Sequence, residues 1–220
     1  MNHRQLLVRT VLAAALVTAS AAPAAAQAFW YPAFQAPRTT TREFNFGLAD
    51  VEATVLAAQW REGISPKGQL SLDAGIADGE GSSAFFFGGG YAHQLTTETV
   101  QMPLAFLLTA GVGFTAIDPE ADGADGYNIL RVPVGVVMGH RFPLEGQMSI
   151  TPYVHPRLSF ESCGDCAEDS EMGVEFDIGA DFTFNPQLSM RFGARFGGTD
   201  YAEDADGFGI SLAWRPGRTR

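Results

Sequence analysis

The sequence predicts an all-β chain closed into an antiparallel, up-and-down barrel of about ten strands, with eight as the alternative. Three observations predict it. From about Thr41 onward apolar side chains recur at every second residue, turn-rich stretches interrupt that alternation at regular intervals, and most alternating segments run to roughly ten residues or more. The 220 residues are 46% hydrophobic and 18% charged with 25 Gly and 17 Phe, which argues against intrinsic disorder. A net charge of −11 argues against nucleic acid as a partner. A mean hydropathy of +0.02 excludes a helical membrane bundle.

The first element is for export. Arg4 and Arg9 precede the apolar run Thr10-Val-Leu-Ala-Ala-Ala-Leu-Val17, which closes on Ala22-Pro-Ala-Ala-Ala-Gln-Ala28. This is the pattern of a secretory signal peptide, with a core too short to span a bilayer as a helix, which takes about 20 residues. We expect cleavage after Ala26, with Ala28 as the alternative. Removing Arg4 and Arg9 from the 14 basic residues leaves twelve against 25 acids, a net charge of −13 for the mature chain.

The strands follow in order. Arg42 to Arg61 reads either as two short strands turning near Ala49-Asp50, the choice that gives ten strands, or as one long irregular strand. Gln69 to Ala77 and Ser83 to Leu95 form a pair. In the next strand Phe106, Leu108, Ala110, Val112 and Phe114 alternate with Leu107, Thr109, Gly111 and Gly113. Leu130 to Phe142 and Met148 to Phe160 form a hairpin around Pro143-Leu-Glu-Gly146. Its more polar face carries Arg131, Arg141, Tyr153, His155, Arg157 and Ser159. Phe208, Ile210, Leu212 and Trp214 mark the last strand.

The clearest hairpin joins Met172 to Phe184 with Leu188 to Phe196 through Asn185-Pro186-Gln187. On the first strand Met172, Val174, Phe176, Ile178, Ala180, Phe182 and Phe184 share one face, and Gly173, Glu175, Asp177, Gly179, Asp181 and Thr183 the other. On the second, Ser189, Arg191, Gly193, Arg195 and Gly197 form the polar face. A turn centred on Pro186 puts Asp181 opposite Arg191, Asp177 opposite Arg195, Phe182 opposite Met190 and Phe176 opposite Phe196. Register, alternation and charge sign therefore agree.

Alternation alone fits a soluble barrel with its apolar face inward as well as a membrane barrel with its apolar face outward. Three features favour the membrane version: strand length suited to a tilted span, Gly and small residues interleaved with charges on the polar face, and unequal connections. The joins at 185–187 and 143–146 are short, whereas 118–126, 161–170 and 199–206 are longer and acidic. A narrow lumen takes small residues beside paired charges, so Glu175, Asp177, Asp181, Arg191 and Arg195 are expected to form a lumen charge network that fills the barrel.

Over about Thr41 to Trp214 the chain resembles the small outer-membrane β-barrel proteins of Gram-negative bacteria, by pattern and not by motif. The resemblance implies a signal peptide over 1–26, a periplasmic segment over 27–40, an outer-membrane barrel over 41–215 and a tail over 216–220. It also implies outer-membrane lipid, lipopolysaccharide and the outer-membrane assembly machinery as partners. In that family the last strand commonly ends in a terminal aromatic. Here Phe208-Gly-Ile-Ser-Leu-Ala-Trp214 is such a strand, but Arg215-Pro-Gly-Arg-Thr-Arg220 follows it.

Outside the lumen the chemistry-bearing residues are few. Cys163 and Cys166 fit a small disulfide in a surface loop of an exported protein, since a zinc site would need a second pair of ligands. Asp118, Glu120, Asp122 and Gly123 imitate the first half of a calcium loop, but the twelfth position is Ile129 where a bidentate Glu is needed, so a solvated acidic loop is expected. A looser version, with Asp204 and Asp206, would hold divalent ions near lipopolysaccharide. His155 and Ser159 lie roughly 13 Å apart along one strand, too far for a nucleophile and its base. Of His93, His140 and His155, none joins a motif of the outer-membrane proteases or lipid A deacylases. Gly88-Gly-Gly90 lacks a phosphate-loop Lys.

No cofactor, no metal and no catalytic residue are expected. The leading function is a structural or surface-interaction role through acidic extracellular loops. A small-solute, porin-like channel is the alternative, a soluble secreted β-barrel binding an apolar ligand is a further one, and a rim hydrolase acting on lipid or peptide is not excluded.

Overall fold

The computed structural model describes residues 31–79, 81–119, 126–164, 170–198 and 206–217. The signal peptide and most of the three acidic connections lie outside them. The described residues contain no helix and eleven strands: β1 (Arg42–Asp50), β2 (Ala53–Gly63), β3 (Gly68–Gly79), β4 (Ser82–Thr96), β5 (Ala105–Pro119), β6 (Tyr127–Gly139), β7 (Phe142–Pro143), β8 (Ser149–Gly164), β9 (Ser170–Asn185), β10 (Leu188–Gly198) and β11 (Gly207–Trp214). Consecutive strands pair antiparallel, except β6 and β7. β6 also pairs with β8, and β1 with β11, so the sheet closes on itself. The two-residue β7 continues β6 after a break at His140-Arg141 and lies against Ser149 and Ile150 of β8. The result is a ten-stranded closed barrel with one short extra strand.

Period two decides which side chain meets which environment. Along β9, Val174 is 66% exposed and Phe176 37%, while Glu175 and Asp177, the residues between and after them, are 0% and 1% exposed. The same inversion runs round the barrel. Phe46, Leu72, Phe87, Leu158, Ile178 and Leu212 point outward, whereas Glu43, Arg61, Arg131, Arg157, Glu161 and Arg191 are buried. A soluble barrel would show the opposite assignment, because an unpaired charge is costly in its interior and an exposed apolar band is costly in water.

The ambiguous stretch at Arg42 to Arg61 is two strands, turning through Val51 and Glu52, with Glu52 in the left-handed region at φ 63°. The β9–β10 register is the one the Pro186-centred turn requires: Asp181 faces Arg191, Asp177 faces Arg195 and Phe176 faces Phe196. Asn185 closes that turn with its side-chain oxygen, which accepts the backbone N–H groups of Gln187 at 2.8 Å and Leu188 at 3.0 Å.

The connections follow the expected asymmetry only in the second half of the barrel. At the end opposite the chain termini, β1–β2 and β3–β4 are tight, and the connections after β5, β8 and β10 are the longer ones. At the end carrying the termini, residues 97–104 make a longer join than the other three turns there.

The outward face generates a prediction. Phe176→Arg places a cation on the apolar band near the middle of β9 and should cost about 2–4 kcal/mol of insertion free energy. The measurement is the fraction of chain that inserts into lipid vesicles and shifts in gel mobility on boiling; insertion equal to the parent would mean that the faces are reversed.

Candidate functional site

Closing ten strands gives an interior wider than the eight-strand barrel that side chains alone fill, so something must occupy the axis. Two things do. One is a set of charges presented by the inward face of every second strand residue. The other is the chain itself, because residues 31–37 run inside the barrel and are buried. Of the stretch 27–40, expected as a periplasmic segment, residues 31–37 thus lie in the lumen and 38–40 at its mouth.

The charges form two groups. Near the end carrying the termini, Arg191 donates from Nε to Asp181 at 2.7 Å and from Nη1 and Nη2 to Glu43 at 2.7 and 2.8 Å. Arg61 donates to the same Glu43 at 2.6 Å, and so does Arg215 at 2.8 Å. Arg215 is the first residue after β11, and its inward turn shows what the residue beyond the terminal aromatic does. Arg38 and Arg215 also approach Asp181, at 3.6 and 3.5 Å.

The second group lies deeper. Arg131 pairs with Glu161 at 3.0 Å and with Glu175, Arg157 reaches Glu175 at 3.2 Å and Asp177 at 2.7 Å, and Arg195 reaches Glu175 at 3.6 Å. The β9 carboxylates take partners from both neighbouring strands, since β8 sets His155 and Arg157 beside Asp177 and Glu175. All five residues of the expected network are therefore in the lumen. Asp181 is joined to its cross-strand partner Arg191, while Asp177 and Arg195, although opposed in register, make diagonal pairs. Among the described residues six acids and five arginines are buried, so their charges nearly balance, and all of them except Asp73 stand in an ion pair.

The N-terminal segment is recognised through its backbone. The Ala33 N–H donates to Asp177 at 3.1 Å. The Phe34 carbonyl accepts from Arg191 at 2.9 Å and from Arg61 at 3.2 Å, and the Ala33 carbonyl from Arg61 at 3.3 Å. Farther along, Gln94 donates to the Pro37 carbonyl and accepts the Thr39 N–H, both at 3.0 Å, and Gln69 accepts the Thr40 N–H at 2.8 Å. Tyr31 packs on Phe86 with ring centroids 5.6 Å apart and accepts a hydrogen bond from Gln59 at 3.1 Å.

The wall is shaped for this segment. Gly193 and Gly209 are cross-strand partners facing the lumen. A Cβ on Gly193 would stand 2.8 Å from Pro32 Cβ, and one on Gly209 would stand 2.7 Å from Phe34 Cζ. These small residues make room for the segment as well as for the charges.

The remaining candidates fall as follows. His155 is buried and shares a 2.9 Å hydrogen bond with Thr109 Oγ1, and its Nδ1 lies 3.6 Å from Asp177. A hydroxyl, an imidazole and a carboxylate thus stand in line. The last gap is too long for a hydrogen bond, and the adjoining space of about 10 Å³ admits one water at most. Ser159 accepts from Arg131 at 2.8 Å, away from His155. His93 meets the Tyr91 hydroxyl at 3.0 Å, and His140 meets the Pro103 carbonyl at 2.5 Å. Arg141 is exposed and outside the buried network. Cys163 is disulfide-bonded, and Cys166, the other cysteine of the sequence, lies outside the described residues, as do Glu120, Asp122, Gly123 and Asp204. Asp206 accepts the Gly197 N–H at 2.9 Å.

Fold and site together define the class: a closed ten-strand barrel, apolar outside and ionic inside, occupied by its own N-terminal segment. No protein-family model and no curated protein matches the chain. Among solved structures it is similar to the beta domain of the Bordetella autotransporter Brka, with a TM-score of 0.51 and 11% identity, covering 80% of this chain and 98% of that one. It is similar at a lower TM-score of 0.43 and 9% identity to LpxR from Salmonella typhimurium, over 78% of this chain and 99% of that one. The KdgM porin matches at a TM-score of 0.37 and 7% identity, over 80% and 99% of the two chains. These likenesses concern the fold.

The shared network generates a prediction. Asp181→Ala strands positive charge in the lumen and should cost about 3 kcal/mol of stability, in the range for breaking a buried pair. Adding Arg191→Ala should lose less than the sum of the two single changes, with a coupling of about 0.5–3 kcal/mol. Urea unfolding in lipid vesicles measures it; strictly additive losses would sink the pairing.

Proposed function

We propose that this protein is an outer-membrane β-barrel with a structural or surface-interaction role, exerted by its apolar exterior and by the acidic loops at the end away from the termini. The observation that carries this reading is the filled lumen. An interior whose arginines and carboxylates are, Asp73 apart, paired with one another, and whose axis holds residues 31–37, offers no wide aqueous path. What remains available for function is the outside: a band of Phe, Leu, Ile and Val suited to lipid, and loops whose charge suits cations or basic partners. The same observation counts against the porin-like alternative, and the apolar exterior counts against a soluble barrel with an apolar ligand inside.

Two measurements test the reading. Cell fractionation should recover the protein in the outer membrane as a band whose gel mobility shifts on boiling; recovery in the soluble fraction would contradict it. Purified protein in a planar bilayer should give no steady conductance. A variant lacking residues 31–37 that still shows the heat-shifted band should conduct. Steady conductance by the intact chain would favour the channel reading instead.

A further inference from the structure

The barrel mouth that carries the termini holds a cavity of about 350 Å³ between the segment 38–41 and the strand ends. Its wall is rich in guanidinium groups: Arg38, Arg61, Arg141, Arg191 and Arg215, with Glu43 the acid among its lining residues. The arithmetic of partners leaves positive charge over. Glu43 is shared by Arg61, Arg191 and Arg215, and Asp181 by Arg38, Arg191 and Arg215, so two carboxylates serve four arginines. Arg141 adds a fifth guanidinium, which donates from Nε to Ser149 at 3.0 Å. A third carboxylate, Glu98, touches Arg141 only through the backbone N–H, at 2.6 Å. Five cations against three anions is the reverse of a chain with a net charge of −11.

The donors are also unevenly spent. Arg191 uses Nε and both terminal nitrogens on Asp181 and Glu43, and so serves as fixed scaffold. Arg215 is spent likewise, with Nε on Glu43, Nη1 on Ser189 at 2.9 Å and Nη2 buried 3.5 Å from Asp181, whereas Arg38 holds Thr183 Oγ1 at 3.2 Å through one nitrogen while its side chain stays 36% exposed. Arg38 and Arg141 therefore present spare N–H groups to one open cavity. Planar guanidinium forks match the paired oxygens of phosphate and carboxylate, and such charge-assisted bonds are the strong ones.

We propose that this mouth is a binding site for a small oxyanion, a phosphate or carboxylate group, held by Arg38 and Arg141, with Arg215 adding positive charge to the wall. The site is independent of what the loops at the opposite end do. Its ligand is of the size of an inorganic anion or a small phosphorylated or carboxylated molecule, and it would tie the lumen segment, through Arg38, to the barrel wall through Arg141.

The test is calorimetric titration of the full-length, detergent-solubilised barrel with inorganic phosphate and, separately, with succinate, against chloride at equal ionic strength. Saturable one-to-one binding of either anion is expected, and which one binds identifies the oxyanion chemistry. The double variant Arg38→Gln/Arg141→Gln should bind at least tenfold more weakly. Arg141→Gln alone, at an exposed position, should weaken binding in the same direction and serves if the double variant does not fold. Lys67→Gln, a cation at the same end but outside the cavity, should leave binding unchanged. Saturation by neither anion, an effect equal to that of chloride, or an equal loss in the Lys67 variant would overturn the proposal.

Discussion

Filling a ten-strand lumen without bulk water is the constraint on which the rest of this structure depends. Strand number fixes the barrel radius, and at ten the interior exceeds what inward side chains close by themselves. Water or an apolar plug would be the simple fillings. This chain uses ion pairs built around Glu43, Asp181, Glu175 and Asp177, together with a short stretch of its own backbone. The two fillings depend on each other. Arg191 and Arg61 hold carboxylates and the Phe34 carbonyl at once, and Asp177 holds Arg157 and the Ala33 N–H at once. Removing the segment would leave donors and acceptors in a low-dielectric space with nothing to meet, which is the expensive state for a polar group.

The same constraint explains the distribution of small residues. Where the segment lies close to the wall, β10 and β11 carry Gly193 and Gly209, and where a bulky ring crosses, β9 carries Gly179, whose Cβ position is taken up by the Tyr153 ring. Small residues, charged residues and the segment together compose one packed interior. The exterior is by contrast uniform, an apolar surface that the alternation delivers without any further specification.

Much of this was legible in the sequence because period two is a backbone property: once one face is apolar, every second residue is assigned. The β9–β10 register followed from a three-residue turn and from the signs of Asp181 and Arg191. The Glu43–Arg61 pair carried the same kind of signal, since a turn centred on Glu52 opposes them, but the mixed pattern of Arg42 to Arg61 left one strand or two open there. The lumen segment was not legible. Residues 31–37 have two prolines and no alternation, and the side chains that hold Ala33, Phe34 and Pro37 are distant in sequence, so nothing local marks them as interior. Arg215 was equally silent, because its inward turn depends on Glu43 lying 172 residues away in the chain.

Residues 31–37 belong to the folded core of the barrel, and amide hydrogen exchange of this segment tests this most directly. Ala33 to Ala36 lie within it and are fully or almost fully buried, with the Ala33 N–H bonded to Asp177. These amides should exchange as slowly as those of the surrounding strands in the folded, detergent-solubilised protein. Exchange at the rate of an unstructured peptide, with the strands still protected, would contradict it.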